Sequence, residues 1–168
     1  MNKPLSDILD SVTRSVQRQT GYQDRFYGLA KLVTREGVRR PVYADEHGYV
    51  QEITPNDTYA LQVYYRLTGT TTETDDSRGM GANPRVSKVY SLLMVGIIKQ
   101  ENAFRRSDIA EIIYDAMLEN GTVTMGDLNE DTEEIFSTEF DGMDYSRLAS
   151  EVSMFSIEFQ YNSVLTPC

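Results

Sequence analysis

Cysteine and histidine are almost absent from this chain of 168 residues. It has one cysteine, Cys168, and one histidine, His47. A single cysteine excludes an internal disulfide and argues against a thiolate metal site. His47 lies in a turn-like stretch, DEHGYV, with no second histidine to relay a proton, and no serine has the G-x-S-x-G setting of a hydrolase nucleophile. We therefore expect no enzymatic activity and no cofactor.

Long apolar runs and an excess of positive charge are also missing. The longest apolar run, LLMVGII at residues 92–98, is far shorter than the ~20 residues of a membrane-spanning helix. The opening MNKPLSDILDSV has acids where a signal peptide needs apolar residues. We therefore expect no membrane partner and a soluble protein made in the cytoplasm. The net charge of −10, from 26 acidic and 16 basic residues, disfavours nucleic-acid affinity as the main activity.

The residues that are present predict one globular domain over 1–168, with two clear helices. Hydrophobic residues make up 40% of the chain, enough for a conventional core at this length. Helical spacing relates the apolar residues near the start, Leu5, Ile8, Leu9, Val12 and Val16. A second helix is predicted over 106–121, capped by Ser107 and stopped by Asn120-Gly121. Its predicted apolar stripe consists of Ile109, Ile112, Ile113, Ala116 and Met117.

Apolar residues alternate with polar ones in several other segments, which predicts strands. Tyr59 to Leu67 and Phe155 to Tyr161 each show one apolar side, whereas the second half of VSKVYSLLMVGIIKQ is apolar on both sides and should lie centrally. Pro41 predicts an edge strand or a bulge. Short turns favour antiparallel neighbours. The expected fold is therefore α+β: a mainly antiparallel sheet of about five strands, with the N-terminal and second helices packed on one face.

The stretch TGTTTETDDSRGMGANPR, residues 68–85, predicts a long loop or hairpin arm between two of these strands. Loops of this length are uncommon in compact domains, and they are usually functional or disordered. Threonines favour an extended backbone that can pair with another strand, and glycines permit sharp bends. The predicted protein interface consists of Thr70, Thr72, Asp75, Asp76, Arg78, Met80 and Arg85. The alternative is a disordered hairpin tip.

The acid-rich stretch GDLNEDTEEIFSTEF, residues 126–140, resembles a calcium loop only in part. Asp127, Asn129 and Asp131 match the first, third and fifth ligand positions of an EF-hand. Thr132 replaces the glycine at the sixth position and Thr138 the glutamate at the twelfth. We therefore prefer a solvated connector in which Asp131 or Thr132 caps a short helix. A metal protein or enzyme that uses Asp127, Asn129 and Asp131 is the alternative.

One resemblance covers most of the chain. It is carried by the N-terminal helix, YVQEITPNDTYALQVYYRLTG, the polar arm, VYSLLMVGIIKQ, the apolar helix after it and the last strand, FSIEFQY. In this order the elements resemble those of the small neck and tail-completion proteins of tailed bacteriophages, the tail-terminator and head–tail joining families. The resemblance implies a structural virion protein of the neck or tail, synthesised in the host cytoplasm. It would form a six- or twelve-fold ring that joins the tail tube to the portal and lets DNA pass.

The acidic charge has a use under this resemblance. A lumen lined by acids repels passing DNA, whereas a basic lining would bind it by releasing counterions. The acids expected to face the lumen are Glu130, Asp131, Glu133 and Glu134. The competing interpretation is a small soluble protein-binding or regulatory domain without catalysis, which works as a monomer or dimer.

Overall fold

The computed structural model describes residues 4–23, 25–75, 85–99 and 106–165. Four helices and seven strands follow one another along these residues. The helices are α1 (Leu5–Thr20), α2 (Arg106–Asn120), α3 (Thr132–Glu139) and α4 (Tyr145–Leu148). The strands are β1 (Phe26–Arg35), β2 (Val38–Ala44), β3 (Val50–Glu52), β4 (Leu61–Asp75), β5 (Arg85–Lys99), β6 (Thr124–Asn129) and β7 (Val152–Leu165).

All seven strands belong to one mixed sheet in the order β3-β2-β1-β4-β5-β7-β6. Every neighbouring pair is antiparallel except β1 and β4, which run parallel. The predicted sheet of about five, mainly antiparallel strands is therefore wrong, although the fold is α+β overall. Strand β6 escaped prediction because it has no alternating burial, and β3 is a short strand of only three residues, all exposed. The parallel pair arises because the β2–β3 hairpin separates β1 from β4 along the chain.

Helices α1 and α2 pack together on one face of the sheet. The predicted α1 stripe is buried at Ile8, Leu9, Val12 and Val16, and Gly21 ends the helix in the left-handed conformation (φ 76°). Beneath the two helices lie the apolar residues of β4, β5 and β7 that point to this face, among them Val63, Tyr65, Met94, Ile157 and Phe159. This is the larger of two buried clusters.

Helix α3 and the short helix α4 cover the opposite face. Phe136 and Phe140 of α3 pack there with Tyr64, Ile97 and Met154 of the sheet. Strand β4 is therefore buried on both faces, whereas its sequence predicts burial on one. The difference comes from Tyr64, an aromatic residue on the side predicted to be polar, which is fully buried.

Three local predictions need correction. Helix α2 begins at Arg106, so Ser107 lies inside the first turn and does not precede it. Ile112 is 40% exposed and does not share the buried stripe of α2. Strand β2 lies between β1 and β3, so Pro41 is not on an edge strand. The Pro41 carbonyl accepts a hydrogen bond from the Ile53 N–H (2.9 Å). In a strand the nitrogen and the carbonyl of one residue point to the same side, so the Pro41 nitrogen also faces Ile53, one residue beyond the end of β3.

The predicted loop at 68–85 is mostly strand where the structure describes it. Strand β4 continues to Asp75, and β5 begins at Arg85, with residues paired in register from Leu61↔Ile98 to Asp75↔Arg85 and one shift between Leu67 and Gly69. The run of β-branched threonines suits this extended backbone. Asp76, Arg78 and Met80 of the predicted interface lie outside the described residues, as does Cys168.

None of the described helices combines the length and the apolar character that a membrane span requires.

Candidate functional site

A three-stranded extension of the sheet is the most distinctive surface of the described chain. It consists of residues 69–75 of β4, 85–91 of β5 and 159–165 of β7, here called the ribbon. Strand β5 lies in the middle, with β4 along one side and β7 along the other as far as Val86↔Leu165. Residues 67–74 of β4 are all exposed. The ribbon thus continues the central strands into a segment that has little core of its own.

Much of each outer edge of the ribbon lacks a strand partner among the described residues. Strand β1 pairs with β4 only as far as Ala30↔Arg66, so β4 has an open edge from Leu67 to Asp75. On the other side, β6 pairs with β7 between Ser156 and Gln160, which leaves residues 162–165 beyond its reach. Open edges present backbone N–H and C=O groups that another strand can pair with.

One face of the ribbon carries two predicted interface residues. Thr70 pairs in register with Tyr90 and Thr72 with Lys88, so these side chains share a face. Tyr90 stacks on Tyr161 with the ring centroids 6.2 Å apart, and the Lys88 Nζ lies 5.3 Å from the centre of the Tyr90 ring. This face is amphipathic, with a stacked aromatic pair near the base and threonines along the exposed edge. Asp75 and Arg85 are register partners at the last described pair.

The acidic stretch forms the cap of α3. The Asp131 Oδ1 accepts a hydrogen bond from the Glu134 N–H (3.2 Å), and the Asn129 Oδ1 accepts one from the Asp131 N–H (2.9 Å). The prediction that Asp131 caps a short helix is confirmed. Glu133 and Glu134 are exposed. No group of three metal-ligating side chains occurs among the residues that the structure describes.

Glu130, the first of the four acids assigned to a lumen, is half-buried. Its Oε1 is shielded from solvent and has no hydrogen-bond partner within the described part of the chain. Asp131, Glu133 and Glu134 are exposed beside it at the start of α3. The structure thus groups these four acids at one helix end, three of them open to solvent.

A buried ion pair joins α3 to β4 near the base of the ribbon. The Arg66 Nε and Nη2 each donate to a carboxylate oxygen of Glu139 at 2.9 Å, and the Tyr64 hydroxyl donates to Glu139 Oε1 at 3.0 Å. Burial, together with the Glu139 carboxylate, raises the pKa of Tyr64 well above its usual value. Every oxygen of this carboxylate is used in holding the two elements together, so the arrangement positions α3.

Sequence patterns alone do not reveal this ion pair. Arg66 falls on the side of β4 that alternation marks as polar, and Glu139 ends a stretch rich in acids, so each suggests an exposed charge. The available signal was Tyr64, because an aromatic residue on a polar strand face indicates that something covers that face.

His47 lies in an exposed turn, as predicted. Its backbone N–H donates to the Asp45 Oδ1 (2.9 Å), and its Nε2 lies 3.5 Å from the Glu46 Oε1. Both side chains of this pair are largely exposed. These contacts bring no serine or cysteine nucleophile to His47.

No family model matches the chain, and no curated protein is similar to it.

The ribbon is therefore the best candidate for a functional surface within the described residues. Its chemistry is that of the peptide backbone: two open strand edges, polar side chains of low charge and a stacked pair of tyrosines. Such a surface can add a strand from another protein, with hydrogen bonds supplied by the main chain and specificity by alternate side chains.

Proposed function

We propose that the chain is a structural subunit of the neck or tail end of a tailed bacteriophage, which forms a ring that joins the tail tube to the portal. It acts without catalysis. The observation that carries this proposal is the ribbon, whose two different edges are open and whose β4 strand is exposed from residue 67 to 74. The resemblance of element order to neck and tail-completion proteins supplies the setting.

The two open edges favour head-to-tail association. Strands β4 and β7 are each antiparallel to β5, so they run in the same direction on opposite sides of it. If β4 of one copy pairs with β7 of the next, the contact joins two different surfaces. Contacts of this heterologous kind produce rings when the rotation between copies closes.

The charge at the start of α3 supports the proposed passage of DNA. Asp131, Glu133 and Glu134 are exposed there, and with Glu130 they form the acidic group that we place at the lumen. Like charge repels the phosphate backbone, so DNA would cross such a ring without being retained by released counterions. The partners implied are further copies of this chain, the portal and the tail-tube proteins.

Shortening the ribbon tests the proposal. Residues 72–88 are replaced by Asn-Gly, which leaves the register pair Thr71↔Val89 closed by a two-residue hairpin turn. This change keeps Tyr90 and its contact with Tyr161. Light scattering then compares the mass of the shortened and full chains, alone and with the portal and tail-tube proteins of the same phage. We expect the full chain to assemble and the shortened chain to stay at protomer mass.

Circular dichroism and thermal unfolding serve as controls that the shortened chain still folds. A folded, shortened chain that assembles like the full chain would remove the ribbon from the proposed function. A full chain that stays monomeric or dimeric under every condition would favour the competing small binding or regulatory domain.

A further inference from the structure

On the α1 side of the sheet, the described helices leave β2, β3 and the end of β1 beyond its contact with α1 uncovered. In register, Val33 pairs with Arg40 and Arg35 with Val38, while Val42 pairs with Glu52 of β3. These residues line an open depression of about 340 Å³ on the face opposite α3. Neither buried cluster includes the three valines of this depression. This surface, the β1–β3 face, is therefore semi-apolar and uncovered by any described helix.

Strands β1 and β2 supply basic residues to the β1–β3 face. These two strands carry Lys31, Arg35, Arg39 and Arg40 and no acidic residue, whereas Glu36, Asp45, Glu46 and Glu52 lie in the adjoining turns and in β3. Lys31 and Arg35 are exposed, and Lys31 lies on the same face as the depression because it is the register partner of Val42. The Arg40 guanidinium binds Glu52 (2.5 Å), but its Nε has no hydrogen-bond partner among the described residues.

The opposite end of the sheet, where α2 and β6 lie, is acidic. Residues 106–129 contain five acidic residues and one basic residue. This charge favours contact with basic residues of β1 and β2 on another copy and opposes contact between two α2 helices.

Helix α2 presents the complementary surface. Its outward side carries apolar as well as acidic residues at helical spacing. Ile112 is 40% exposed and Leu118 57% exposed. The exposed acids that accompany them are Asp108, Glu111, Asp115 and Glu119. The acids of α2 are opposite in charge to the basic residues of the β1–β3 face, and its exposed apolar residues can pack against the valines there.

We propose that the outward side of α2 in one copy packs on the β1–β3 face of the next copy and supplies a helix over it. This inference rests on the proposed function, because the contact is one junction of the proposed ring. Within a protomer, α2 contacts β6 and β7, whereas β1 adjoins β4. In both the α2 contact and the pairing of ribbon edges, the side of one copy that carries β6 and β7 therefore meets the side of the next copy that carries β1 and β4.

Charge reversal with a complementary partner tests the contact. One variant carries Lys31→Glu and Arg35→Glu, and the other carries Glu111→Lys and Asp115→Lys. Each variant alone sets like charges against each other at every junction, and we expect its dissociation constant to rise ~100-fold or more. In an equal mixture every junction of an alternating ring is again complementary, so assembly should return. Sedimentation velocity measures all three samples.

A matched control carries Arg14→Glu and Arg18→Glu, which make the same change of net charge on exposed residues of α1. This control should assemble like the unaltered chain. If the unaltered chain assembles and both folded variants assemble equally well, the α2 contact is wrong and the ring stands. A mixture that stays dissociated also contradicts the contact. If the unaltered chain never assembles, the proposed function falls as well.

Discussion

At the scale of single residues, two ion pairs of the described chain, Arg66–Glu139 and Arg40–Glu52, lie in opposite environments. The Glu139 side chain is 1% exposed and bound by Arg66, whereas the Arg40–Glu52 pair is 37% and 39% exposed. A buried charge that loses its partner is strongly destabilising, while exposed pairs contribute little. Glu139→Gln should therefore lower the free energy of unfolding by roughly 3 kcal/mol, measured by urea denaturation.

Glu52→Gln is the matched control for this substitution. It removes the same charge from the exposed pair and should cost less than about 1 kcal/mol. Equal losses in the two variants would show that Glu139 does not fix α3 to the sheet.

The buried phenol of Tyr65 leads to a prediction of how stability changes at alkaline pH. Burial raises the pKa of Tyr65, whereas its hydrogen bond with Thr13 (2.8 Å) acts in the opposite direction. In the unfolded chain the phenol ionises near pH 10, but in the folded chain it stays neutral to higher pH. The contribution of this buried phenol to the free energy of unfolding is therefore fully present below about pH 10 and decreases as the pH rises further.

Tyr65→Phe removes this ionisation. Denaturation curves between pH 8 and 11 should show a smaller loss of stability with pH in the variant than in the unaltered chain. Tyr64 remains as a second buried phenol, so part of the loss should persist. Parallel pH dependence in the two proteins would contradict the assigned burial of Tyr65.

At the scale of elements, β5 and β7 contact each other closely through one glycine. A Cβ built on Gly96 would collide with the ring of Phe155, which is fully buried on β7. Gly96→Ala should lower the free energy of unfolding by about 3 kcal/mol, at the upper end of the usual cost of overpacking. Thermal or urea unfolding checks this value.

Gly69, on the neighbouring strand, provides the control. A Cβ there meets nothing closer than the Ser91 Cβ at 4.0 Å, so Gly69→Ala should be neutral or slightly stabilising, because alanine loses less entropy in a strand. If Gly96→Ala were equally harmless, the packing of β7 against β5 would be different from that described.

Elements with strong periodicity were predictable from the sequence, and elements defined by pairing were not. Helix α1 follows from the spacing of Ile8, Leu9, Val12 and Val16, all of which are buried. Strand β6 has no periodic signal because the burial of its residues does not alternate, and it exists through its pairing with β7. The parallel contact of β1 with β4 likewise depends on long-range pairing, which local patterns do not encode.

The sequence predicts a long loop or hairpin arm at residues 68–85, and the described part of this segment is strand. The polar composition of residues 68–85 predicts a loop, because a segment without apolar residues cannot build a core. In the structure, threonines as far as Thr74 extend β4 against β5. The backbone pairing of a central strand with two neighbours is sufficient to order a polar ribbon. The alternating pattern of β7 predicts a strand but does not reveal that it lies beside β5.

At the scale of the whole molecule, charge and open edges are consistent with one polarity. Strands β1 and β2, on one side of the sheet, carry four basic residues and no acidic one, whereas α2 and β6, on the other side, lie in a segment with five acidic residues and one basic residue. A contact that joins these sides leaves the same two surfaces free on the outer copies. Assembly would then continue until the rotation between copies closes it into a ring.

Native mass spectrometry of the full chain over a concentration series tests this polarity most directly. We predict one discrete species of six or twelve protomers, each of 19.1 kDa, whose mass does not grow further as the concentration rises, because a closed ring has no free junction. A chain that remains a protomer, or stops at a two-fold dimer at every concentration, would contradict the head-to-tail assembly proposed for this protein.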